Sequence, residues 1–265
     1  PPRSWLRFMP CRGAVLVTRP AGQAAALCDL VSAAGYTAHS QPLLELEVLP
    51  ELPPQQRQLL LELDRYQHVI FVSTNAVRFG MDCIEDYWPQ LPAGVTWYAI
   101  GEVTAALLRD YGVAAVTPGT DMTSEGLLAV PQLRAVQGQR VLIVKGEGGR
   151  ATLGEELVGR GARVDELVCY RRRCPDLPPG ELAARLNEWC IDLIMISSGE
   201  GLANLQILLS AQETTKFRHI GLIVPSRRIA CLAIKAGFDQ VVTAENASDV
   251  AMLHALEEWK PSSGE

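Results

Sequence analysis

Six short runs along the chain are apolar at every position: Ala14–Val17, Val69–Val72, Trp97–Ile100, Val141–Val144, Leu193–Ile196 and Ile220–Val224. A strand with one wet face alternates apolar and polar residues; unbroken runs mark strands covered on both faces, as in parallel sheets. Between the runs, Gln23–Ala34, Val103–Tyr111, Leu153–Arg160 and Arg228–Ala236 place apolar residues at helical spacing. Gly35, Gly112, Gly161 and Gly237 follow these four stretches, where a glycine cap closes a helix. Alternation of this kind predicts an α/β protein with doubly wound parallel sheets.

The two halves echo each other. VLVTRP from Val15 aligns with VLIVKG from Val141, an offset of 126 residues that Gly35 and Gly161 also keep. VIFVST from Val69 aligns with LIMISS from Leu193 at an offset of 124, and YGVAAVT from Tyr111 with AGFDQVVT from Ala236 at 125. Offsets this steady predict two copies of one fold unit.

Right-handed crossovers gather the strand C-termini on one edge of each sheet, where open α/β sheets bind ligands. The residues ending the runs are Thr18-Arg19, Ser73-Thr74-Asn75, Gly101, Lys145-Gly146, Ser197-Ser198 and Pro225-Ser226. They are small, hydroxylated or basic, and no run ends directly on a carboxylate. Helix N-terminal amides and short hydroxyls suit anions. The same hydroxyls also cap helices well, and the pattern leaves both uses open.

Composition narrows the partner. Among 265 residues, 24 basic and 30 acidic side chains give a net charge of −6, so a nucleic acid is not expected. An anionic ligand then needs a locally positive site. No apolar run approaches a membrane span, and the first twelve residues read as a tail without a signal-peptide core. The seven cysteines form no CxxC pair and the four histidines are scattered, so no metal site is expected and the thiols suit a reducing cytoplasm.

Seven segments, in order and spacing, resemble the uroporphyrinogen-III synthase family, in its bacterial form. They are VLVTRP (Val15–Pro20), FVSTNAV (Phe71–Val77), YAIGEVTAALL (Tyr98–Leu108), RVLIVKGEGGR (Arg140–Arg150), ELVCYRR (Glu166–Arg172), ISSGEGLANL (Ile196–Leu205) and VPSRRIACLAIKAGF (Val224–Phe238). The likeness runs from Gly13 to Trp259. It implies a discontinuous first domain (13–38 plus 176–260), a second domain (52–162), and a two-stranded β-ladder of linkers (39–51 and 163–175). Such linkers imply a hinge, with both rims facing one cleft. Val72 stands where many relatives carry threonine, and Ser226 and Ile229 depart from the GxxTA pattern.

The family's substrate is hydroxymethylbilane, a linear tetrapyrrole carrying an acetate and a propionate on each ring. The resemblance implies a hydro-lyase of heme biosynthesis that loses water, inverts ring D through a spiro intermediate and needs no cofactor. It implies a monomer acting on a small molecule, with no nucleic acid or membrane partner. Tyr170 matches the tyrosine the family carries in its second linker strand and is the expected acid, near solvent. Thr18, Ser73, Thr104, Ser197 and Ser198 are the expected carboxylate binders. Arg19, Lys145, Arg150, Arg227 and Arg228 supply charge, with Thr74, Asn75, Gly101, Gly146 and Ser226 on the rim. Arg171–Arg173 would alternate sides on a strand. A non-catalytic two-domain binder of anionic small molecules would share these features. A dinucleotide enzyme is disfavoured, because KGEGGR is neither G-x-G-x-x-G nor a Walker loop.

Overall fold

The computed structural model describes residues 12–49, 51–119, 121–148 and 151–259. Arg150 and the expected tail up to residue 11 lie outside them. The strands are β1 (Ala14–Val17), β2 (Thr37–Ser40), β3 (Glu45–Val48), β4 (His68–Phe71), β5 (Thr96–Ala99), β6 (Ala115–Val116), β7 (Arg140–Gly146), β8 (Arg163–Arg173), β9 (Ile191–Met195), β10 (Gly221–Val224) and β11 (Val241–Thr243). The helices are α1 (Ala25–Ala33), α2 (Pro54–Leu61), α3 (Thr74–Glu85), α4 (Glu102–Asp110), α5 (Ser124–Leu128), α6 (Thr152–Gly159), α7 (Glu181–Glu188), α8 (Gly199–Leu208), α9 (Ala211–Phe217), α10 (Arg227–Lys235) and α11 (Asp249–Glu258).

The chain divides into two compact units. The first runs to Glu45 and resumes at Arg173; the second is Leu46–Arg172. The first unit holds a five-stranded sheet of order β11-β10-β9-β1-β2, and the second a six-stranded sheet of order β3-β8-β7-β4-β5-β6. Replacing β1, β2, β9, β10 and β11 by β7, β8, β4, β5 and β6 converts the first order into the second, with β3 added at the edge. The internal duplication is therefore visible as topology, permuted in chain order. The pairings β1–β2, β1–β9, β9–β10 and β10–β11 are parallel, as are β4–β5, β4–β7, β5–β6 and β7–β8.

Both faces of each sheet are buried, which explains the unbroken apolar runs. Val15 and Val17 enter one core and Leu16 the other. In the second unit Val69 and Phe71 face one core while Ile70 faces the other. Gly35 and Gly161, the matched pair of the repeat, sit just past α1 and α6 at φ 90° and 85°. That left-handed conformation costs glycine least and stops each helix.

The linker segments differ from exposed connecting strands in two respects. His39 and Ser40 lie within β2, paired to β1. β8 is hydrogen-bonded to β7 along Arg140–Gly146, and its Leu167, Cys169 and Tyr170 belong to the core. β3 and β8 are neighbours at the edge of the six-stranded sheet. There Arg171 pairs with Glu47 at 2.8 Å and Arg173 with Glu45 at 3.0 Å.

Candidate active site

In each sheet the chain reverses its direction of winding at one place: between β1 and β9 in the first unit, and between β7 and β4 in the second. Loops leaving these strand pairs diverge, which opens a crevice at the C-terminal edge. In the second unit this crevice is a cavity of about 240 Å³ lined by Val72, Ser73, Ile100, Ser124, Ile143, Lys145, Gly146, Gly148, Leu153, Gly154, Glu166, Tyr170 and Arg172.

Tyr170 reaches the cavity through an irregularity in β8. Lys145 pairs with Val168 but Gly146 with Tyr170, so Cys169 is an extra residue in the ladder. Strict alternation would put Cys169 and Tyr170 on opposite faces. The bulge instead sends both into one core, with Leu167. The Cys169 thiol, its pKa pushed up to about 12 by burial, lies 3.4 Å from the Lys145 carbonyl. The Tyr170 ring packs 5.0 Å from Phe79, centroid to centroid, and its hydroxyl lies 3.4 Å from Ser73 Oγ. With 4% of the residue exposed, Tyr170 is a core side chain with a polar tip, more deeply buried than the linker phenol near solvent that was expected.

Ser73 caps α3, accepting from the Ala76 N–H at 3.1 Å. Capping uses a lone pair and leaves the hydroxyl proton free to donate. Thr74 and Asn75 form the first turn of α3, Gly101 caps α4, and Thr104 is buried on α4. Lys145 continues the face of β7 that carries Ile143, and its ammonium meets Glu166 at 3.1 Å. Glu166, which ends none of the apolar runs, puts a carboxylate in a lining whose other polar side chains are basic or hydroxylic. It sits on β8 between Val164 and Val168, so its period-2 spacing was the signal available in the sequence.

The first unit repeats the design with different side chains. Thr18 donates its hydroxyl proton to the Met195 carbonyl at 2.6 Å, so that proton is committed to the sheet. Arg19 is held by Asp249 at 2.6 Å and by the Ala247 carbonyl at 2.7 Å. Ser198 and Ser226 cap α8 and α10, accepting from Gly201 and Ile229. Ser197 Oγ is buried without a hydrogen-bond partner among the described residues. Arg227 is exposed and, with Ser226, lines an open groove of about 840 Å³. The exposed Arg228 lies near the start of α8, with Nη2 3.5 Å from the place a Gly199 β-carbon would take. Among the described residues, no group of three His, Cys, Asp or Glu side chains could hold a metal ion.

A family model described as uroporphyrinogen-III synthase HemD matches residues 25–254. The chain belongs to the uroporphyrinogen-III synthase family. It is 32% identical over 248 residues to the uroporphyrinogen-III synthase of Escherichia coli, across 92% of this chain and 99% of that protein. With the Salmonella typhimurium uroporphyrinogen-III synthase it shares 34% over 246 residues, across 92% and 99%. Among solved structures, a mutant uroporphyrinogen III synthase of Thermus thermophilus matches with TM-score 0.58 and 19% identity, covering 93% of this chain and all of that one. A uroporphyrinogen-III synthetase of Helicobacter pylori matches with TM-score 0.57 and 17% identity, covering 94% of this chain and 100% of that one. These two likenesses speak for the fold. Among the described residues of this uroporphyrinogen-III synthase family chain, no helix is long and apolar enough to cross a membrane.

Proposed function

We propose that this protein is a cytoplasmic lyase that closes hydroxymethylbilane into uroporphyrinogen III, with loss of water and reversal of ring D through a spiro-pyrrolenine. The observation that supports this reading most is the family match over residues 25–254. The cavity of the second unit then supplies groups suited to the chemistry. At about 240 Å³ it is smaller than the roughly 300–1,000 Å³ that encloses a drug-sized ligand, so it would take one part of a linear tetrapyrrole.

Tyr170 is the proposed acid. Its phenol gives a proton to the departing hydroxyl of ring A, the C–O bond breaks, and water leaves an azafulvenium cation, ring A keeping its N–H proton, beside the phenolate. The substituted α-carbon of ring D attacks the new methylene carbon and forms the spiro centre. That centre fragments and recloses at the other α-carbon of ring D, which then loses its proton and restores the phenol. Ser73, 3.4 Å from the phenol oxygen, can donate to the phenolate while it lasts. Lys145 and Arg172 hold substrate carboxylates, each charge-assisted hydrogen bond contributing about 1.5–3 kcal/mol. In the first unit, Ser197, Ser198, Ser226 and Arg227 are the proposed carboxylate binders. Fixing the substrate's fold favours the crowded attack over spontaneous closure at the free α-position.

The test is to incubate the protein with hydroxymethylbilane and resolve the product isomers. The expected result is the ring-inverted isomer, formed faster than spontaneous closure. Recovery of only the uninverted isomer at the spontaneous rate would reject the proposal in favour of a non-catalytic binder.

A further inference from the structure

We propose that Glu166 is a resident counter-ion for Lys145, displaced by an incoming carboxylate, and that it sets how tightly the cavity holds polycarboxylates. The inference rests on the reading of Lys145 as a carboxylate binder. It adds a residue whose effect on binding has the opposite sign.

The geometry makes the two partners unequal. Lys145 Nζ and Glu166 Oε1 are 3.1 Å apart, yet the lysine side chain is 12% exposed and the glutamate 42%. The ammonium is built into the wall, while the carboxylate stands on the wet side of the pair. Turning the carboxylate into water costs little desolvation; withdrawing the ammonium would bury or strand a charge. Glu166 is therefore the partner that yields.

The backbone beneath Glu166 stays fixed while its side chain moves. Gln56 donates to the Glu166 carbonyl at 3.0 Å and accepts from the Val168 N–H at 2.8 Å, clamping β8 on both sides of Leu167. The displaced carboxylate remains tethered to the cavity wall. It competes with the bound anion for Lys145 throughout, so the cavity binds its ligand less tightly than Lys145 alone would allow.

The experiment compares the parent, Glu166→Gln, Lys145→Met and the double variant by two readouts. Glutamine keeps the shape of Glu166 and can still accept from Lys145, but carries no charge. Calorimetric binding of mellitate, a benzene hexacarboxylate, needs no turnover. Glu166→Gln should bind mellitate about threefold to tenfold more tightly than the parent. Lys145→Met should bind it more weakly, and the glutamine change should have no effect in the Lys145→Met background. In steady state with hydroxymethylbilane, Glu166→Gln should lower KM and also lower kcat, because product is held longer. Weakened mellitate binding in Glu166→Gln would make Glu166 a strut for Lys145 and overturn the proposal. Unchanged binding, or tightening that persists without Lys145, would overturn it too. A parent protein that does not convert hydroxymethylbilane would instead reject the proposed function, and the mellitate comparison would still decide the counter-ion.

Discussion

The ring of Tyr170 lies across Gly146 so closely that a β-carbon on the glycine would stand 2.5 Å from the ring Cζ. Gly146 is not among the glycines with positive φ, so its backbone conformation does not exclude a side chain. The constraint is the ring. Gly146→Ala should push the ring off β7 and away from Ser73. Overpacking of this kind costs about 1–3 kcal/mol, and turnover should fall by more than the loss of folded protein explains. Urea melts and initial rates measure the two effects; parent-like values in both would show that the ring has room to slide.

Arg19 gives a prediction of a different kind. Its guanidinium ties the end of β1 to Asp249 and to the Ala247 carbonyl beside the start of α11. With its side chain 18% exposed and that of Asp249 28%, the pair is neither buried nor free in water. Arg19→Ala should destabilise the protein by about 1–2 kcal/mol, between the values for exposed and buried pairs. KM for hydroxymethylbilane should stay within about twofold, since one tenfold step in binding is 1.4 kcal/mol and this cation is already occupied. An unchanged melt with a raised KM would return Arg19 to the binding surface.

The particular residues show what was legible in the sequence. The parallel sheets were, because residues such as Val15 and Leu16 face opposite cores and both must be apolar. The duplication was, because equivalent strands kept equivalent residues. The inclusion of β8 in the core was not: its apolar positions Val164, Leu167, Val168 and Cys169 follow no single period across a bulge, and a bulge is a pairing property that one strand alone does not display. The burial of Tyr170 and the partners of Lys145 and Arg19 were hidden for a related reason. Each depends on a residue 21 to 230 positions away brought close by the fold. The helix caps were open to two readings, and Ser73, Ser198 and Ser226 do serve as caps.

Acid should act on the second unit through Glu62. Hydrogen bonds from Arg140, then Gln58, hold its carboxyl below the usual value of 4.5. A carboxyl whose folded pKa is lowered adds stability above its unfolded pKa, and that stability is lost as pH falls through the folded value. Glu62→Gln removes the titrating group. From pH 5 downward, its urea midpoint should therefore fall less steeply than the parent's. Parallel curves would show that Glu62 is not linked to folding.

Tyr170→Phe separates the phenol's proton from its packing. The ring stays, so the contacts with Phe79 and Gly146 stay with it. The loss is a hydroxyl 3.4 Å from Ser73 Oγ, and one hydrogen bond of that kind contributes about 1 kcal/mol or less. Stability should therefore change little. Tyr170→Ala should instead cost about 3–5 kcal/mol, as for other large aromatic residues removed from a core, which makes phenylalanine the informative replacement. If Tyr170 protonates the departing hydroxyl, turnover in Tyr170→Phe should fall by about 10²-fold or more. The isomer ratio adds a second readout. When water loss at the site slows, spontaneous closure competes, and the uninverted product should appear beside the inverted one. A substrate carboxylate or a bound water acting as the acid would leave the rate and the isomer ratio of Tyr170→Phe at parent values, and the tyrosine would then belong to the core alone.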